Sequence, residues 1–250
     1  MCATIAVAQD TPKIAIIIDD LGNELRYGRE LIQMPHQLTY SFLPHRPFTP
    51  RLAKMAASAG KEVMLHLPMQ SSQENALGSN ALTLELTQQQ FQQIVRDSIE
   101  AVPHAKGVNN HMGSLLTRHP GHMAWLMEVL ALQDSGLYFV DSKTTSMTIA
   151  AQIAKEHFVP SISRDVFIDA DPDAEKIWSQ LRRLNRIAEK KGYAVAIAHP
   201  YPTTIKILNE YLPLLDKQGI QLVPVTQIIN LNPANQWPEY SSLSHPAAKN

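Results

Sequence analysis

The sequence predicts an α/β fold on a mostly parallel sheet, most simply a complete or incomplete (β/α) barrel. Three observations carry this. Short, continuous apolar runs rich in β-branched residues recur along the chain, as strands buried on both faces require. Amphipathic helical patterns fall between them. Aspartate and histidine stand at the ends of the runs, where parallel α/β folds gather their chemistry. An open doubly wound sheet is the alternative. No G-x-G-x-x-G or P-loop string supports its nucleotide-binding form.

The first run, Lys13-Ile14-Ala15-Ile16-Ile17-Ile18, stops at Asp19-Asp20-Leu21-Gly22. Further runs span Leu38 to Leu43, Glu62 to Leu67, Gly107 to Asn109, Leu137 to Val140, Val166 to Ile168, Tyr193 to Ala198 and Ile220 to Val223. A helix is expected from Gln88 to Val102. Thr87 stands three residues before Gln90 as a capping pair, and Phe91, Ile94, Val95 and Ile99 share one face. His122 to Leu132 repeats the spacing with Met123, Leu126, Met127 and Leu130, and Gly136 follows as a stop. Asp173 to Lys190 opens acidic and closes basic, as the helix dipole favours. Thr203 to Leu215 is the last helix, with Pro213 weakening its final turn. Pro44 to Pro50 reads as a surface loop.

Of 250 residues, 44% are hydrophobic, enough for one substantial core. Lys plus Arg is 22 against 23 Asp plus Glu, a net charge of −1, which supplies no general attraction to nucleic acid. No run approaches the roughly 18 apolar residues of a transmembrane helix. Ten His against one Cys exclude a cysteine zinc module or a disulfide scaffold, and leave a His/carboxylate metal site open. Residues 1–10 are expected to be the remnant of an export signal. Ala6-Val7-Ala8 fits a small-x-small cleavage site, Cys2 to Ala8 fits the tail of an apolar leader, and the basic leader start is missing. The expected location is periplasmic or otherwise exported. Cleavage after Ala8 would remove the only cysteine, which suits an oxidising compartment. A single domain is expected over residues 11–231. Residues 232–250 read as an extended or disordered tail, with Trp237 and Tyr240 available to dock.

The run ends define the candidate site. Asp19 and Asp20 follow the first, His45 the second, His66 the third, Asn109, Asn110 and His111 the fourth, Asp141 the fifth and His199 the seventh. Two adjacent carboxylates at a strand exit can face one mouth while aiming differently, one holding a metal and the other free as a base. Asp20, His66 and His111 offer one carboxylate and two imidazoles from three strand ends, a set that favours Zn2+ over Mg2+ or Ca2+. Asp19 is then the expected base and His199 the expected acid. His45 is a candidate substrate contact, and Asn109 and Asn110 are alternatives to His111. His36, His104, His119, His122 and His157 are expected at the surface, and His245 falls in the tail.

In that order, the strings I-I-I-D-D-L-G, E-V-M-L-H-L-P-M, G-V-N-N-H-M-G-S, F-V-D-S-K-T-T, S-R-D-V-F-I-D and A-I-A-H-P-Y-P resemble the divergent polysaccharide deacetylase family, a distant branch of the NodB-type carbohydrate esterases. The resemblance covers Lys13 to Leu231. It implies an irregular, seven-stranded (β/α) barrel and metal-dependent removal of acetyl groups from an amino-sugar polysaccharide. It implies Asp19 as base, Asp20 as metal ligand and His199 as acid. The larger group carries a His doublet where only His66 stands here, so His111 is the natural second imidazole. The arginine that steadies the base in that group has Arg164 as its nearest candidate. Asp141 is a candidate carboxylate behind the ligands. Two other readings stay open. One is a non-catalytic envelope protein that keeps the fold and metal site. The other is a glycoside hydrolase pairing Asp19 or Asp20 with Asp141.

Overall fold

The computed structural model describes residues 11–73, 80–133 and 136–236. The expected leader remnant, Trp237, Tyr240 and His245 lie outside them. Among the described residues, nine parallel strands form one sheet: β1 (Lys13–Leu21), β2 (Thr39–Phe42), β3 (Glu62–Met69), β4 (Ala105–Met112), β5 (Tyr138–Asp141), β6 (Ser161–Ser163), β7 (Val166–Phe167), β8 (Tyr193–Ala198) and β9 (Gln221–Leu222). The order is β6-β5-β4-β3-β2-β1-β8-β7, with β9 pairing the start of β1. β6 and β7 do not pair, so the sheet curls as an open half-barrel. The short β6 was not expected; its Ser-Ile-Ser carries almost no apolar run. The helices are α1 (Leu25–Gln33), α2 (Thr49–Ser58), α3 (Gln88–Ala101), α4 (Pro120–Ala131), α5 (Ala150–Glu156), α6 (Ala174–Lys191), α7 (Pro202–Tyr211) and α8 (Val225–Leu231).

Local chemistry sets the helix ends. The Thr87–Gln90 box closes the start of α3. Asp173 accepts from the Lys176 amide at 3.1 Å, and Gly192 ends α6 in the left-handed region (φ 87°). α7 stops at Tyr211, and Pro213 falls in the 3-10 turn that follows.

Strand alternation separates two apolar layers. Ile14, Ile16 and Ile18 pack into the larger core, which includes buried residues of α1 to α7. Ala15 and Ile17 face the inside of the curl with Met64, Val195 and Ile197, where Val225, Ile228 and Ile229 of α8 close the floor. Glu62 ties α8 down: its carboxylate accepts from Thr39 Oγ1 (3.2 Å), Tyr138 Oη (3.0 Å), the Thr226 amide (3.2 Å) and Thr226 Oγ1. The same inward alternation carries Asp19, His66 and Asn109 into the mouth above this floor. Beyond α8, the Asn235 side chain donates to Ser161 O (3.1 Å) and Ile229 O (2.8 Å).

Candidate metal centre

The site begins with an irregularity in β1. Ile18 pairs with Tyr40, but Leu21 pairs with Phe42, so β1 spends one extra residue over this interval. Asp20 sits in the left-handed region (φ 57°), a conformation that aspartate tolerates better than most residues. Strict alternation would send Asp19 and Asp20 to opposite faces. The bulge brings both carboxylates to one mouth.

Three atoms from three strands meet there. Asp20 Oδ1 lies 2.9 Å from His111 Nδ1 and 3.2 Å from His66 Nε2, and the two nitrogens are 3.1 Å apart. A tetrahedral zinc with bonds of about 2.0–2.1 Å needs donor separations of about 3.3–3.4 Å. The observed triangle is slightly contracted from one face of that tetrahedron. Asp20 Oδ1 is buried and has no well-aligned hydrogen bond, although two imidazole nitrogens lie close to it. A carboxylate oxygen left unmatched beside two ring nitrogens fits a cation better than a hydrogen-bonded cluster. The donor set, one oxygen and two nitrogens, points the same way.

Asn109 fixes the parts behind the triangle. It is fully buried on β4, opposite His66 in the β3–β4 register. Its Oδ1 accepts from His66 Nδ1 (2.9 Å) and Ser41 Oγ (2.6 Å), and its Nδ2 donates to Asp19 Oδ1 (2.9 Å) and Oδ2 (3.0 Å). The serine donor and the carboxylate acceptor fix which end of the amide is which. The neutral His66 ring then carries its proton on Nδ1 and turns the Nε2 lone pair to the triangle, the tautomer a metal ligand needs. Burial alone would push the His66 pKa down; the Asp19 and Asp20 carboxylates outweigh it and raise it to about 9 in the metal-free protein. Asp20 is also desolvated, yet the facing imidazoles hold its carboxyl far below the usual range. Asp19 is pushed up by burial, against the pull of His66 and His199.

His199, just past β8, stands across the mouth with Nε2 3.8 Å from Asp20 Oδ2. Its Nδ1 donates to Asp169 Oδ1 (2.9 Å), and its amide donates to Asp169 Oδ2 (2.7 Å), which also accepts from Thr204 Oγ1 (2.8 Å). Burial lowers the His199 pKa, but Asp169, Asp19 and Asp20 together raise it above the ordinary imidazole value. Asp169 had not been singled out from the sequence. It follows the Val166 to Ile168 run directly, and the strand-end rule that found His199 reaches it too.

The structure places the other candidates as follows. Asn110 accepts from the Ser142 amide (2.8 Å) and donates to Met112 O (2.7 Å), tying two loops together. Asp141 accepts from the Lys143 amide (2.9 Å) and Thr148 Oγ1 (3.0 Å), so it braces the loop after β5. Arg164 lines the pocket and donates to the carbonyls of Ser142 (2.6 Å) and Lys143 (2.9 Å). The hydrogen bonds that steady Asp19 come from Asn109. His45 is exposed, with a left-handed backbone (φ 56°), and does not line the pocket. The pocket that joins Asp19, Asp20, His66, His111 and His199 encloses about 330 Å³.

Comparisons with known proteins give the family and the fold. The model of the family described as divergent polysaccharide deacetylase matches residues 16–229. The uncharacterized protein YibQ of Escherichia coli (strain K12) is 34% identical over 218 residues, 87% of this chain and 67% of that one. An uncharacterized protein from Agrobacterium tumefaciens C58 shares the fold at a TM-score of 0.83 and 21% identity, over 88% of this chain and 90% of that one. Two more distant structures share the fold over 88% of this chain. A peptidoglycan N-acetylglucosamine deacetylase does so at a TM-score of 0.55 and 13% identity, over 88% of its own chain. A CE4 family pseudoenzyme from Bacillus anthracis does so at 0.53 and 15%, over 66% of its chain. From the match over residues 16–229 and the identity to the Escherichia coli protein, this chain belongs to the divergent polysaccharide deacetylase family.

Proposed function

We propose that this protein is a metal-dependent deacetylase that removes acetyl groups from an amino-sugar polysaccharide of the cell envelope. The observation that carries the proposal is the convergence of Asp20 Oδ1, His66 Nε2 and His111 Nδ1 within 3.2 Å of one another, beside a separate carboxylate and a separate imidazole in one pocket. Asp20, His66 and His111 would hold the ion, for which Zn2+ is the best chemical match. A bound zinc polarises an acyl carbonyl and acidifies water near neutral pH.

The remaining steps belong to side chains. Asp19 takes a proton from water as the water oxygen bonds to the acetamide carbon. Its raised pKa makes it a stronger base than an exposed aspartate. Asn109 holds both Asp19 oxygens and thereby sets the direction of the free lone pairs. The C–N bond then breaks, and His199 Nε2 gives its proton to the departing nitrogen. Asp169 keeps His199 oriented and favours its protonated form. The products are acetate and a free amine. An exported location suits this substrate and the Ala6-Val7-Ala8 stretch.

The pseudoenzyme among the structural neighbours favours a second reading, a non-catalytic envelope protein that keeps the fold and the ion. Acetate release from N-acetylated oligosaccharides by zinc-loaded protein separates the two. Under the deacetylase reading, a chelator abolishes release. Asp19→Asn lowers turnover by about 10²-fold or more while zinc content stays at the wild-type level. Full turnover in Asp19→Asn refutes the assigned base. No release from zinc-loaded wild type leaves the binding protein.

A further inference from the structure

Two cations face the same pocket, and neither makes a direct ion pair. Lys143 and Arg164 both line it. Among the described residues, neither has a carboxylate within ion-pair distance, and the Lys143 ammonium has no hydrogen bond. The acidic groups whose charge reaches Arg164 are Asp141, Asp19 and Asp165, with Arg183 opposing them. Each carboxylate is engaged elsewhere: Asp141 by the Lys143 amide and Thr148, Asp19 by Asn109, and Asp165 by Lys191 (3.3 Å) and the Val195 amide (2.9 Å).

The guanidinium is nevertheless held firmly. Nε and Nη2 donate to the Ser142 and Lys143 carbonyls, and Cζ lies 4.9 Å from the centre of the Phe167 ring. Neutral carbonyls and an aromatic face orient an arginine without cancelling its charge. The loop that carries Lys143 is equally fixed. The Ser142 amide donates to Asn110, Thr144 Oγ1 donates to Met112 O (2.8 Å), and Lys143 takes a left-handed backbone (φ 53°). Keeping the half-buried Arg164 charge without a direct partner costs stability, and an anionic ligand offsets that cost; the exposed Lys143 ammonium adds a solvated second charge at the rim. A guanidinium with free N–H donors matches a carboxylate best, because its planar fork can bind both oxygens.

Building on the deacetylase reading, we infer that Lys143 and Arg164 form an anion subsite that selects an acetylated amino sugar bearing its own carboxylate. The pocket holds this subsite and the ion ligands together, so the carboxylate and the acetamide must lie on the same sugar unit or on adjoining units.

The test uses binding, so it does not depend on turnover. Dissociation constants of the zinc-loaded protein are measured by calorimetry for N-acetylglucosamine and for N-acetylmuramic acid, which adds a carboxylate-bearing ether to the same ring. The acidic sugar is expected to bind about tenfold tighter at low salt, with the preference shrinking as salt rises. Lys143→Gln should reduce the preference severalfold, and Arg164→Gln should abolish it. Because Arg164 also ties down the Ser142–Lys143 loop, Lys143→Gln decides the matter if Arg164→Gln does not fold. Equal affinity for the two sugars overturns the subsite. So does a preference that survives substitution unchanged, since the carboxylate would then sit on the zinc. A preference for the acidic sugar without acetate release would uphold the subsite and remove only the hydrolytic reading.

Discussion

Replacing Asn109 by leucine removes a side chain of similar size and all its polar contacts, and it tests the core of the site. Asn109 donates to both Asp19 oxygens at 2.9 and 3.0 Å and accepts from His66 Nδ1 at 2.9 Å. Hydrogen bonds to a charged group contribute about 1.5–3 kcal/mol each, and here they reach a carboxylate that is 2% exposed. Water cannot easily replace them. The expected loss of folding stability is about 2–5 kcal/mol, less than the sum of the bonds because Asp19 can protonate instead. The effect on metal binding is separate. Without its acceptor, the His66 ring is free to rotate and change tautomer, and loss of such a partner typically weakens metal binding about 10- to 100-fold. Denaturant titration of the metal-free protein measures the first quantity, and competition with a coloured zinc chelator measures the second. A folded Asn109→Leu protein with wild-type zinc affinity would refute the idea that this amide orients His66 as a ligand.

Zinc affinity should rise with pH. The metal-free His66 pKa is about 9, and the ion needs the deprotonated Nε2, so proton competition persists up to that value. One proton gives about a tenfold gain per pH unit from 7 to 9 and a plateau above, readable by the same chelator competition; a flat profile from 7 to 9 would contradict the raised His66 pKa, and unchanged zinc content in His66→Ala would exclude it as a ligand. Glu62 governs stability with a defined sign. Burial raises its folded pKa above the ordinary glutamate value, so its contribution is complete below that ordinary value and is lost as pH rises through the folded pKa. Glu62→Gln removes the charge and keeps an acceptor, so wild type should lose stability relative to the variant as pH rises above 4.5 in denaturant titrations; parallel pH profiles would contradict this.

Much of the site was readable because strand periodicity is a one-dimensional signal. Asp19, His66 and His199 stand directly after buried apolar residues, and parallel strands must deliver such residues to one end of the sheet. Periodicity also reached His111, two residues beyond Asn109 on the same face of β4. It failed where apolar patterning is weak, as in β6; Asp169 is within reach of the same rule, but its place behind His199 depends on a tertiary contact.

By itself, the sequence determined the parallel α/β architecture, the end of the sheet that carries the polar residues, and the residue types available there. Local hydrophobic patterning and strand direction suffice for that. Only the tertiary structure decided which side chains meet. The bulge that turns Asp19 and Asp20 to one side, the Asn109 amide linking His66 to Asp19, and the unpaired charge of Arg164 all depend on register between strands distant in the chain. A shift of one residue in any pairing would reverse the inward face and scatter the same residues.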